Sequence, residues 1–273
     1  MINFLHTNIP TPILISFGSV HIYWYGLLMM LAILAAASTS LKLTEYYEIS
    51  KNMILDFAFY LIIGCILGAR IYYCLLYFPY YAEQPLNMFK IWEGGISIHG
   101  ALIAGILISW IFAKKKKINF LKLASIIAPG LALGQAIGRF GNYFNQELFG
   151  RPTNLPWGIP INVLNRPPQY FSDSYFHPTF LYESLGNFII FIILISLQIY
   201  IIKKKKINET FSALIVTLYF IFYSFLRFMT EFIRVDESPV YFDLRFPQIV
   251  SIATVFFSVL FFVVYRRKKI ISS

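Results

Sequence analysis

The chain has 273 residues, of which 58% are hydrophobic and 13% charged, whereas soluble domains run near half apolar and a quarter charged. That balance excludes a water-soluble core. The formal net charge of +10 comes from short basic blocks beside apolar runs instead of a groove or stripe, so no nucleic acid is expected as a partner.

Residues 1–16 contain no Lys or Arg, so there is no basic n-region of a cleavable signal and the first apolar run is expected to stay in the mature protein. Apolar runs of about 20 residues, the length that crosses a bilayer as a helix, lie at 17–41, 53–78, 94–113, 119–138, 180–202, 211–230 and 247–265. They are too long for membrane strands and lack alternating polarity, which leaves helices as the way to satisfy the backbone in lipid. The expected fold is an all-α integral membrane protein, a seven-transmembrane-helix bundle in a single membrane domain covering 1–273. Cys65 and Cys74 both fall in the second run with neither disulfide nor metal-ligand spacing, and read as packing residues.

Basic blocks set the orientation. Four lysines at 114–117 follow the third run, four at 203–206 follow the fifth, and Arg266, Arg267, Lys268 and Lys269 follow the seventh. With Lys42, Lys51 and Lys122 that side holds 15 of the 23 Lys and Arg residues, and the positive-inside rule makes it cytoplasmic. The N-terminus is then outside and the C-terminus inside. The longest polar connection, 139–179, becomes an extracytoplasmic loop subdomain, and connections of that length are often functional.

Charges inside apolar runs are costly, about 2.5 to 3.5 kcal/mol at a helix centre by insertion scales, and so point to function. At 1.5 Å per residue, His99 is expected about 7 Å and Arg70 about 12 Å below the outer end of their runs. Arg139 and Arg227 end runs four and six on that side, and Glu183 begins run five. Three arginines, a histidine and a carboxylate at one depth look like a pocket for an anionic group. Each has a structural alternative: Glu183 can pair with Arg70 to hold helices together, and an interfacial Arg can snorkel. Asp56 lies at the opposite end of run two and reads as a solvated boundary residue. Tyr223, Arg227, Glu231 and Arg234 share one helical face if their helix continues past the boundary. His21 and Tyr25 share a face of run one by the same spacing.

Across the end of run four stands Gly138-Arg139-Phe140-Gly141-Asn142-Tyr143-Phe144-Asn145-Gln146-Glu147-Leu148-Phe149-Gly150. Here the chain resembles the prolipoprotein diacylglyceryl transferase family, whose signature has the form G-R-x-G-N-F/Y-x-N-x-E-x-x-G. Further resemblance lies in Trp24-Tyr25-Gly26, in Gly94-Gly95-Ile96-Ser97-Ile98-His99-Gly100, in His177-Pro178 with Tyr182-Glu183, and in the segment from Tyr223 to Arg234. Ala101 departs from the family, many members of which carry a second glycine after the histidine; helix packing there is what it touches.

The resemblance implies seven spans with the N-terminus out and the C-terminus in, in a bacterial cytoplasmic (inner) membrane. It implies transfer of an sn-1,2-diacylglyceryl group from phosphatidylglycerol to the lipobox cysteine of a prolipoprotein signal peptide, with release of glycerol phosphate. The partners it implies are therefore phosphatidylglycerol, prolipoproteins and membrane lipids. Arg139 and Arg227 are then expected on the phosphate, His99 as base for the thiol, and Glu147, Glu231 or both as groups that orient the base or the arginines. Asn142 is expected on the headgroup, with Tyr25, Arg70, Gly150, Tyr223 and Arg234 completing the substrate site. No nucleotide loop, H-E-x-x-H pair or cysteine metal cluster is present, so no cofactor or metal is expected. An anion transporter would use the same arginines but favours inverted repeats and broken midplane helices; only Pro129-Gly130 interrupts a run. A serine protease reading of Gly95-Ile96-Ser97 fails at His99, where G-x-S-x-G needs glycine.

Overall fold

A computed structural model describes residues 2–271. In chain order its elements are α1 (Ile2–Thr7), β1 (Ile13–Phe17), β2 (Val20–Tyr23), α2 (Trp24–Thr44), α3 (Lys51–Leu76), α4 (Phe78–Glu83), α5 (Ile98–Lys115) and α6 (Phe120–Phe144), then β3 (Ile159–Pro160), β4 (Tyr175–Phe176), α7 (Thr179–Lys203), α8 (Glu209–Glu231), β5 (Val240–Tyr241), β6 (Leu244–Arg245) and α9 (Phe246–Ile271). Among the described residues, seven helices, α2, α3 and α5 to α9, are long and apolar enough to cross a membrane. The chain is a multi-pass membrane protein built almost wholly from helices.

Two boundaries differ from the sequence reading. Residues 13–23 do not begin the first span; they form a hairpin in which Phe17 pairs with Val20 and Ser16 with His21. The two-residue turn is Gly18-Ser19, and Gly18 holds φ +60, a conformation glycine adopts without steric cost. His21 therefore shares no helix face with Tyr25. Its Nδ1 lies 2.9 Å from the Ser16 hydroxyl within the hairpin. At the other boundary, α6 continues to Phe144, so Arg139 and Asn142 belong to a helix instead of opening a loop.

The chain divides into two compact units, residues 1–40 with 127–273, and residues 41–126. In the smaller unit α3 and α5 pack through small residues. A Cβ at Gly68 would meet the Ala104 methyl at 2.3 Å, and one at Gly100 would meet the Gly68 carbonyl oxygen at 2.3 Å. Close backbone approach between apolar helices gains dispersion that lipid cannot match. Phe57 and Phe112 pack edge to face beside this seam, 5.2 Å between centroids, and Asp56 pairs with Lys116 at 3.7 Å, both well exposed. Cys65 and Cys74 are free thiols, the second one buried.

In the larger unit, Ala128, Ala132, Ile190, Leu194, Phe211, Ile215 and Tyr219 form a core shared by α6, α7 and α8. Gly130 follows Pro129 and faces the Ala36 carbonyl of α2, where a Cβ would stand 2.6 Å from the oxygen. The connection from α6 to α7 has its own core of Tyr143, Phe149, Ile159, Ile161, Phe176 and Phe180. Gln146 ties that connection down with both ends of its amide: Nε2 donates to the Pro10 carbonyl at 2.8 Å, and Oε1 accepts from the Asn162 N–H at 2.6 Å. Arg166 donates to the carbonyls of Ile161 and Phe171. The loop is thus a folded element, and its burial pushes the His177 imidazole pKa down.

Candidate active site

Most of the charged and polar side chains that cluster in the larger unit come from four places, with Glu147 added by the connection after α6. The last turns of α6 supply Arg139 and Asn142, the second turn of α7 supplies Glu183, the end of α8 supplies Arg227 and Glu231, and the connection from α8 to α9 supplies Arg234, Asp236 and Arg245. Glu183 sits at the hub. Its Oε2 lies 2.7 Å from Arg139 Nη2, and its Oε1 lies 3.3 Å from Arg227 Nη1 and 3.1 Å from Arg234 Nη1. Arg227 reaches on to Glu231, one helical turn along, and Arg234 to Asp236 at 2.6 Å. On the far side, Arg139 donates to the Asn142 side-chain oxygen at 3.3 Å, and Asn142 Nδ2 donates to Glu147 at 2.7 Å.

The result is one continuous chain of charge-assisted contacts from Glu147 to Asp236. Ion pairs this deep are expensive to desolvate and persist only when each charge has several partners. Exposure separates the arginines: the side chains of Arg139 and Arg227 remain 21% and 19% accessible, whereas Arg234 is 3% accessible. Of these three, only Arg139 and Arg227 keep appreciable side-chain surface open to a ligand. Burial alone would push the Asp236 carboxyl up, but the Arg234 hydrogen bond and the charges of Arg234, Arg245 and Arg227 hold its pKa below the ordinary carboxylate range.

Tyr25 opens α2 and lies against α6 at Gly141, where a Cβ would stand 2.6 Å from its ring. Any side chain at that position would collide with the ring. Tyr223 lies one turn before Arg227 on α8 and stacks on Tyr219, 6.1 Å between centroids. α8 ends at Glu231, so the expected face is interrupted before Arg234; that side chain nonetheless rejoins the cluster through Glu183.

The remaining expected residues have other surroundings. Gly150 meets main chain: its N–H donates to the His177 carbonyl at 2.9 Å, and it bridges Arg234. A Cβ there would lie 2.7 Å from both His177 Cβ and Ile233 Cγ2, so the glycine lets the loop lie on the end of α8. Arg70, in the smaller unit, is buried, and it donates to five carbonyls, those of Asn87, Met88, Lys90, Gly94 and Gly95, at 2.5 to 3.3 Å. The alternative in which Arg70 pairs with Glu183 is replaced by this clamp on the connection from α3 to α5. Gly94 and Gly95 hold φ +88 and +71, so α5 starts only at Ile98 and His99 stands in its first turn, exposed, with the Tyr72 ring 6.1 Å away.

A family model described as prolipoprotein diacylglyceryl transferase matches residues 12–264. The chain belongs to the prolipoprotein diacylglyceryl transferase family. Curated relatives named phosphatidylglycerol–prolipoprotein diacylglyceryl transferase include one from Trichormus variabilis, 44% identical over 252 residues, with 91% of this chain and 87% of the relative covered. Another, from Synechococcus elongatus, is 41% identical, with 92% and 86% covered. A third, from Gloeobacter violaceus, is 40% identical, with 89% and 88% covered. For a member of this transferase family, the sequence reading omitted two charged residues of the cluster, Asp236 and Arg245. Both fall in the short connection after run six, where Arg234-Val235-Asp236 was the available signal. Glu183 stands out in the sequence by its depth, but nothing in a linear sequence shows that three arginines share it.

Proposed function

We propose that this protein transfers the sn-1,2-diacylglyceryl group of phosphatidylglycerol to the lipobox cysteine of prolipoproteins, the first step of bacterial lipoprotein maturation. The thiolate sulfur attacks the glyceryl carbon that carries the phosphate ester. A C–S thioether forms, the C–O bond breaks with its electron pair going to the phosphate oxygen, and glycerol phosphate leaves. What carries the reading is the sharing of Glu183 by Arg139 and Arg227, the two arginines of that hub that keep accessible donor surface.

Preorganised cations in a site of low dielectric stabilise developing charge more than they do in water. Arg139 and Arg227 therefore take the phosphate and the leaving group. Asn142, held by Glu147, presents its amide to the headgroup, and Tyr25 lines the pocket beside it. Glu231 fixes the Arg227 fork, Tyr223 supports it from one turn away, and Arg234 holds Glu183 in place. His99 takes the thiol proton. Arg70 and Gly150 serve by shaping the connections that carry these groups. The decisive assay is glycerol phosphate release by purified protein from phosphatidylglycerol vesicles with a lipobox peptide. Release is expected with the Cys peptide and absent with its Ser counterpart; no release from either overturns the assignment.

The basic blocks further support a cytoplasmic-membrane location with the N-terminus and the site toward the extracytoplasmic face. In a chain whose native cysteines are replaced by alanine, Leu164→Cys, beside Arg166 and 91% exposed, is expected to react with an impermeant thiol reagent in spheroplasts. Lys116→Cys is expected to stay unlabelled until the membrane is opened. The reverse pattern would invert the topology.

A further inference from the structure

Glu231 is the most enclosed carboxylate of the cluster, its side chain 0% accessible. A charge so placed needs cations on both oxygens, and α8 supplies only Arg227, which is already shared with Glu183. The second cation arrives from β6: Arg245 Nε lies 3.1 Å from Glu231 Oε2. The rest of that guanidinium is spent on the turn after α8. Nη1 donates to the carbonyls of Glu231 at 3.3 Å and Arg234 at 2.8 Å, and Nη2 donates to the Asp236 carbonyl, with the Asp236 carboxylate at 3.4 Å. The Arg245 backbone N–H is itself fixed by the buried Gln248 side chain at 3.0 Å.

We propose that Arg245 is a positioning residue for diacylglyceryl transfer, acting through Glu231 on Arg227. By neutralising Oε2, it keeps Glu231 from drawing Arg227 wholly onto itself, and so leaves Arg227 divided between two carboxylates with donor surface for the phosphate. Arg234 does not substitute for it, since it faces Oε1, at 3.9 Å, and is already engaged with Glu183 and Asp236. A planar fork is needed because one side chain must meet two carboxylates and three carbonyls together. The proposal rests on the transferase reading of this site.

The test uses full-length wild type, R245K, R245Q, E231Q and the R245Q/E231Q double variant in nanodiscs. It follows KM and kcat for phosphatidylglycerol, the Kd for a short-chain phosphatidylglycerol by thermal-shift titration, and Tm. R245Q is expected to weaken donor binding roughly 10-fold, less than the 100- to 1000-fold that accompanies loss of a direct donor, and R245K to restore most of that binding but little of the Tm. In the E231Q background, R245Q is expected to leave Kd unchanged, because the charge it acts through is gone. If R245Q lowers Tm while Kd and KM stay at wild-type values, Arg245 is only a structural clamp and the proposal is wrong. The same follows if R245Q weakens binding equally with and without Glu231. Wild-type protein that neither binds the lipid nor turns over would instead overturn the transferase reading itself.

Discussion

Replacing Arg227 by Gln is expected to abolish diacylglyceryl transfer, and Arg139→Gln to do the same. Each removes a cationic fork from a site where one donor aimed at developing charge is worth roughly 100- to 1000-fold in rate. Lys at either position keeps the charge but not the planar fork, and is expected to recover only part of the activity. The two positions separate in stability. Arg227 holds both Glu183 and Glu231, so its loss strips a partner from two buried carboxylates, and breaking such a pair costs about 3 to 5 kcal/mol. Arg139 pairs with one buried carboxylate, Glu183, and otherwise donates to Asn142, and Glu183 retains Arg227 and Arg234 without it. Thermal unfolding in detergent should therefore show the larger Tm loss for Arg227→Gln, while glycerol phosphate release falls to background in both. Full turnover in the two Gln variants would remove these arginines from the chemistry.

His99→Gln is expected to lower kcat/KM by roughly 100-fold, the common scale of general-base assistance. His99 stands in the first turn of α5, exposed, where an incoming thiol can meet it, and imidazole is the side chain suited to proton removal near neutrality. A free thiol titrates near about 8.5, so rising pH supplies thiolate without a base. The deficit of the variant is then expected to shrink between about pH 6 and 9. A deficit that stays constant across that range, with protein level and lipid binding intact, would assign His99 to packing against Tyr72 instead of proton transfer.

The seven long helices were legible because each apolar run has the length lipid demands; α9 runs six residues past its expected end into its basic block, and two other bounds differ in ways that matter for the site. The first exception is the hairpin. Outside the turn, residues 13–23 carry only Ser16 and His21 as polar groups, too few for an alternation that marks strands, and the Gly18-Ser19 turn was the main sign. The second is α6, where glycines and asparagines suggest a turn, although the helix runs through Arg139 and Asn142 to Phe144. In the site, Arg139 and Arg227 stood out as charges where lipid makes them costly, Glu231 and Arg234 by their helical spacing from Arg227, and Asn142 and Glu147 only through the signature they resemble; the contacts link all six in a chain that runs through Glu183. Arg70 shows the limit of that logic. Its cost of burial is met by five carbonyls of a neighbouring connection, partners that carry no side-chain signature in a sequence. Arg245 was hidden for the opposite reason, standing at a helix boundary where an arginine looks ordinary.

The three arginines on Glu183 also bear on how turnover would end. A guanidinium with no resident partner would grip a phosphate tightly and surrender it slowly. Here Arg139 and Arg227 already have a carboxylate at 2.7 and 3.3 Å, so a phosphate gains only the difference between two anions competing for the same donors. Once the C–O bond is cut and glycerol phosphate loosens, Glu183 is in place to reclaim both forks. On the proposed reading, that carboxylate would be a built-in rival to the leaving group for the same two guanidinium groups.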